Sequence, residues 1–201
     1  MNANIKKLNK EKFEDRLNQL VLTADTYIEY AIRYKDILSE YRRKKKKPTP
    51  LLKSRTAEDQ LLSFLKINAN VFLFQSILNL RTLLKKTMDN EFSFEKYFVE
   101  FGNFQEKISK IRSEFERLEL KLLSNKIIAH KEMQYIPSPW ILCTLDLEEK
   151  YFKNVRIIVD MLKKVVTEEF DVECNNYILS SSEIGLDKVR GYIKSCLDID
   201  R

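Results

Sequence analysis

His130 is the one histidine in the chain, and imidazole is the one side chain that titrates near neutrality when unperturbed. It can take a proton from a hydroxyl and return it to a leaving group, which makes it the first candidate for acid–base work. Lys126 lies four residues earlier, one turn away on the same face of a helix, where its ammonium can steady a phosphate as a point charge. Asn125 directly precedes it. All three belong to the string Leu122-Leu-Ser-Asn-Lys-Ile-Ile-Ala-His-Lys131. A purely structural account stands beside the chemical one. A His with two Lys at a helix C-terminus complements the dipole and needs no further role. Asn125 falls on an apolar seam, where a polar residue fixes helix register or dimer pairing.

A second candidate is the run Arg42, Arg43, Lys44, Lys45, Lys46 and Lys47. The chain has 36 basic and 30 acidic side chains, so this run of six accounts for the whole positive excess. It can neutralise several phosphates of a nucleic acid, or serve as a solvated helix end and hinge over 42–50. Tyr27, Tyr30, Tyr34 and Tyr41 recur at helical spacing, and core packing outranks base stacking for them. Cys143, Cys174 and Cys196 with His130 would make a Cys3His set. None forms a close C-x2-C pair, which argues against a metal and suits reduced thiols. Glu148-Glu149 and Glu168-Glu169 show no metal spacing. The three glycines, Gly102, Gly185 and Gly191, cannot assemble a phosphate-cradling loop, so no cofactor is expected.

The elements that must position these residues are helical. A 44% hydrophobic, 33% charged chain of 201 residues suits one domain, and so few Gly and Pro argue against sandwiches, barrels and α/β folds. Phe13, Leu17, Leu20, Ala24, Tyr27, Ala31, Tyr34, Leu38 and Tyr41 alternate four and three apart, predicting a first helix over about 10–46. Pro48 and Pro50 stop it. A second, central helix is expected over about 57–87, with Leu62, Leu65, Ala69, Leu73, Ile77, Leu80 and Leu84 as its stripe. Gln75, Asn79 and Arg81 interrupt its apolar run and argue against a membrane span. Ser93 caps a short helix over about 94–101, closed by Gly102 and Asn103.

A fourth helix is expected to run unbroken from Phe104 to His130 along Ile108, Ile111, Phe115, Leu118, Leu122, Asn125 and Ala129. The segment from Met133 to Cys143, with Pro137, Pro139 and Trp140, is a connector. Asp146 with Glu149 reads as a capping box for a helix over about 147–170, and Ser180 with Glu183 as another before a last short helix over about 183–197. The fold class that follows is all-α: an up-and-down bundle of four long helices plus short ones, one domain over 1–201 with its core over about 10–170. The charged start lacks the apolar stretch of a signal peptide, so a cytoplasmic protein with no membrane association is expected.

Asn125, Lys126, Ala129 and His130, in a helical chain with a Phe-Ser-Phe turn at Phe92 to Phe94, resemble the HEPN superfamily, in particular its abortive-infection U-type branch. The resemblance covers about residues 10–170. It implies a defence, toxin–antitoxin or stress role, a homodimer with a site at the shared interface, and metal-independent cleavage of RNA. His130 would handle protons there, assisted by Lys126 and Asn125. In that family an Arg a few residues before the His stabilises the phosphate. Here Ser124 stands where it is expected, so Ser124→Arg would be expected to raise activity. Two rival readings stay open: a catalytically silent bundle partnering an antitoxin or another protein, and a basic nucleic-acid-binding adaptor.

Overall fold

The protein is described by a computed structural model covering residues 3–44, 57–86, 92–102, 104–125, 147–172 and Gly191. The connector around Trp140, the three cysteines and the expected last helix otherwise lie outside the described residues. The described elements, in order, are α1 (Ala3–Lys44), α2 (Ala57–Leu84), α3 (Phe94–Phe101), α4 (Gln105–Arg117) and α5 (Glu149–Phe170), with residues 120–125 also helical. No strand occurs among the described residues, so the chain is all-α there.

Helices α1 and α2 form the backbone of the bundle. The expected stripe of α1 is buried at Phe13, Leu17, Ala24, Ala31, Leu38 and Tyr41, with Val21, Ile28 and Ile37 widening it. Half-buried Tyr27 and Tyr34 stack on Phe72 of α2, at 6.0 and 5.7 Å between ring centres, and Tyr41 is buried. Buried Ser76 donates to the Ala24 carbonyl at 2.8 Å. Tyr41 shares a cluster with Leu65, so the end of α1 lies beside the start of α2 and the pair is antiparallel. α1 begins at Ala3, earlier than periodicity suggests, because nothing in Asn4 to Asn9 stops a helix.

α2 spans a stretch long and apolar enough, by length and composition, to cross a membrane. The central helix of a bundle meets the same description. Its buried Asn70 and Ser76 are polar groups placed inside the fold.

α5 packs antiparallel to α1. Asp25, 1% exposed, receives the Arg156 Nη1 at 3.0 Å and the Lys163 Nζ at 2.6 Å. Lys35 reaches the Leu147 carbonyl and lies 4.1 Å over the Phe152 ring. α5 begins at Glu149 with Glu148 as its N-cap and no side-chain cap bond; Asp146, expected to cap this helix, lies outside the described residues.

At the other end of α1, Phe13, Tyr97, Phe104 and Phe170 form an aromatic cluster that docks α3 and the start of α4. Ser93 caps α3 as expected, accepting from the Lys96 N–H at 3.3 Å. Gly102 closes α3 with φ of −58°, not in the left-handed region. Glycine is required because a Cβ would meet the Phe98 backbone at 2.5 Å.

The expected unbroken fourth helix is corrected. α4 stops at Arg117, Leu118 is its C-cap, and Glu119 turns left-handed at φ 61° before the helix resumes at 120. Asn154 of α5 donates to the released Leu118 carbonyl at 3.3 Å. The physical cause is an excess of leucines: 118, 120, 122 and 123 cannot share one helical stripe. The turn buries Leu120 completely and leaves Leu122 56% exposed.

Candidate functional site

The turn at Glu119 decides where Ser124 and Asn125 point. Asn125 was expected on the apolar seam; it is instead exposed, and buried Ser124 occupies the inward position. Ser124 Oγ donates to the Lys121 carbonyl at 2.7 Å and is fully enclosed. The position where the HEPN resemblance would put an Arg is therefore enclosed. Lys121 and Asn125, four apart, share a face after the turn.

That face meets a cavity of about 220 Å³ at the C-terminal end of α2. Among the described residues, five cations line it: Arg81, Lys85, Lys86, Arg112 and Lys121. Among these residues too, Leu84 and Phe115 supply apolar wall, Glu116 is the one carboxylate, and Asn125 adds an amide. Lys121 hydrogen-bonds Glu116 and, with Lys86 nearby, holds that carboxyl below its usual range, so it stays ionised. A shallower groove continues past Lys86 and Arg112 toward Glu95, Gln105 and Ser109.

Arg112 builds the floor. It is 8% exposed, donates from Nε to the Leu84 carbonyl at 2.8 Å, and brings Nη2 to 2.7 Å from Glu95 Oε2. Leu84 ends α2, so the guanidinium satisfies one of the carbonyls a helix C-terminus leaves unpaired. The Glu95 contact is a close charge pairing without the alignment of a hydrogen bond. Arg81, by contrast, encloses its Nη1 with no hydrogen-bond partner among the described residues.

Of the residues read as candidates in the sequence, Asn125 is on this cavity, while Lys126 and His130 lie outside the described residues. Arg42 and Arg43 are exposed near the end of α1, and Lys45, Lys46 and Lys47 lie outside the described residues, as does the Lys44 side chain. The end of α1 sits by Leu65, and the cavity sits by Leu84. At 1.5 Å per residue, about 28 Å of α2 separates them. The structure does not bring the basic run and the cavity together. Arg117 is exposed and committed to Glu114 through two hydrogen bonds.

Sequence reasoning missed four of the five cavity cations as site residues and treated Arg81 as an interruption. One signal was present. Arg112 is four residues after Ile108 and three before Phe115, so it sits on a buried face where a cation needs a partner. Set against family models, curated proteins and solved structures, the chain matches none of them.

Proposed function

We propose that the chain is a HEPN-like helical bundle that acts on RNA, with the cationic cavity as its phosphate-facing surface. The observation carrying this reading is the position of Asn125, the first residue of the Asn-Lys-x-x-Ala-His string, on the lining of a cavity with five cations. Phosphate chemistry needs such charge close to its acid–base group. Arg81, from α2, brings to the lining a guanidinium that the motif itself lacks at Ser124. A homodimer in the cytoplasm, with a defence, toxin–antitoxin or stress role, is part of this proposal.

The expected activity is weak, needs no divalent metal and depends on His130. The test compares wild type, His130→Ala and Lys126→Ala on structured and single-stranded RNA with EDTA present. Cleavage that survives in His130→Ala, or that EDTA abolishes, overturns the mechanism.

The inward position of Ser124 favours one alternative, a silent bundle of the same type that binds RNA or a protein partner without cutting. RNA retention without cleavage by wild type is its expected outcome.

A further inference from the structure

A helix face turned to water carries charges, and α5 follows that rule with Lys153, Asp160, Lys164 and Glu168 exposed along it. α2 does not. Beside its core stripe it bears a second one, Phe64, Ile67, Val71, Phe74 and Leu78, spaced three, four, three and four apart. Phe64 is 47% exposed, and Ile67, Val71 and Leu78 are half-buried. Between Leu61 and Leu80 the one charged side chain is Lys66. Of the most apolar stretch of this helix, 39% is buried.

Polar side chains on the same side turn inward on their own helix. Asn68 donates from Nδ2 to the Phe64 carbonyl at 2.8 Å, and Thr82 from Oγ1 to the Leu78 carbonyl at 3.0 Å. Covering them costs less than covering side chains that depend on water. Tyr30 and Tyr34 of α1 pack on Phe72, and Tyr34 also meets Phe64, so aromatic rings border the stripe. Few charges and many rings are the composition of the core of a protein–protein interface.

We propose that a second copy of this chain docks on the Phe64–Leu78 face, α2 against α2 about a two-fold axis. Four-three spacing meshes with its own kind when two helices lie side by side. Across a two-fold axis the face meets the same residues again, and the amides of Asn68, Gln75 and Asn79 both donate and accept, so a copy can pair with them. A charged partner would find almost no counter-charge. From Phe64 to Thr82 the face runs about 27 Å, and with the tyrosine side of α1 it is about 20 Å wide. That is about 500 Å² in projection, close to the ~600 Å² per partner at the low end of stable interfaces. Lipid suits the face less, because α1 runs along α2 with Glu29, Arg33, Asp36 and Glu40, which cannot follow it into a bilayer. The contact gives the homodimer of the functional reading a surface, and it stands whether or not the chain acts on RNA.

The test is sedimentation velocity of the full-length protein across the micromolar range. Wild type is expected to move from the mass of one chain, 24.0 kDa, toward twice that mass as concentration rises. Gln75 is exposed, so Gln75→Glu keeps the fold, checked by circular dichroism, and places a charge between the copies. It is expected to weaken dimerisation about tenfold or more. Phe64→Ala is expected to act in the same direction through lost contact. Wild type that stays at one chain at the highest concentration overturns the proposal. Flotation of that monomer with phosphatidylcholine vesicles would then assign the face to lipid, and no flotation would assign it to cover by the chain itself. A dimer equally tight in wild type, Gln75→Glu and Phe64→Ala places the contact elsewhere and also overturns it. Cleavage is assayed separately, so failure of this contact and failure of the RNA reading are told apart.

Discussion

Arg112 of α4 donates from Nε to the carbonyl of Leu84, the last residue of α2, at 2.8 Å. One side chain therefore closes the end of α2 and, through Glu95, ties in the first turn of α3. Replacing it with Met keeps the apolar stem but leaves a helix-end carbonyl and a carboxylate without their partner. Arg112→Met is expected to cost about 2–4 kcal/mol, read as a lower urea midpoint at unchanged slope. A loss below about 0.5 kcal/mol would show that water replaces the guanidinium easily.

Glu119 adopts φ 61°, a conformation a side chain resists and glycine accepts. Its ion pair to Lys150 at 3.8 Å is exposed and contributes little. Glu119→Gly is expected to leave stability unchanged or raise it by up to about 1 kcal/mol. Glu119→Val should instead destabilise, because a β-branched residue is least tolerant of that region. Thermal melting of both variants checks the turn. If Gly destabilises more than Val, the motif segment does not turn here.

The helices were legible because their signal is apolar spacing, which depends only on local sequence. Ser93 and Gly102 were legible as ends for the same reason. The turn at Glu119 was not, since neither Gly nor Pro marks it. It results from a choice among Leu118, Leu120, Leu122 and Leu123 that only the packing against α5 can make. The error then propagated to the site: a stripe drawn straight through Leu122 put Asn125 on the seam and left the cavity unseen. Arg81, Arg112 and Lys121 come from three separate segments, and no spacing along one segment reveals a convergence in space.

Ser124 is fully enclosed, which reverses what the family pattern led one to expect of an Arg there. Ser124→Arg would force a guanidinium into space now filled by a hydroxyl bonded to the Lys121 carbonyl. The expected outcome is a loss of about 2 kcal/mol or more in stability and no gain in RNA cleavage. Denaturant titration alongside the cleavage assay decides it. A stable Ser124→Arg with raised activity would mean that the position faces the site.

Tyr97 is buried at the aromatic end of the bundle, with its hydroxyl donating to Glu14. Burial foremost, and then the Glu14 carboxylate, raise its pKa beyond the ordinary tyrosine range. The unfolded chain gives up that proton near pH 10. A raised folded value therefore contributes stability that is full below about pH 10 and is lost as pH climbs above it. Tyr97→Phe is expected to cost about 1 kcal/mol at neutral pH and to flatten the alkaline decline. Urea midpoints across about pH 8 to 11 check the sign; an equal decline in the variant would place its cause in other residues.

The separation of the basic run from the cavity makes a prediction about RNA length. About 28 Å of α2 lies between the end of α1 and the cavity. A strand stacked at about 3.4 Å per nucleotide needs about eight nucleotides to bridge that span. The sequence alone offered Arg42–Lys47 as the phosphate-neutralising run, because that run holds the charge excess. The structure places exposed Arg42 and Arg43 at one end and five cations at the other, so affinity should divide between them. A trinucleotide with a 5′-phosphate should respond to Arg81→Met and ignore replacement of Arg42 through Lys47 by Ser. An oligomer of about twenty nucleotides should respond to both, and the two losses should add within about 0.5 kcal/mol, as they do for sites with no shared partner. Its dependence on salt should flatten with each set of replacements. Binding titrations with both lengths at several salt concentrations measure all three. If the Ser replacements weaken the trinucleotide as much as the long strand, the two basic regions act on one bound phosphate, and the distance read along α2 does not describe the site.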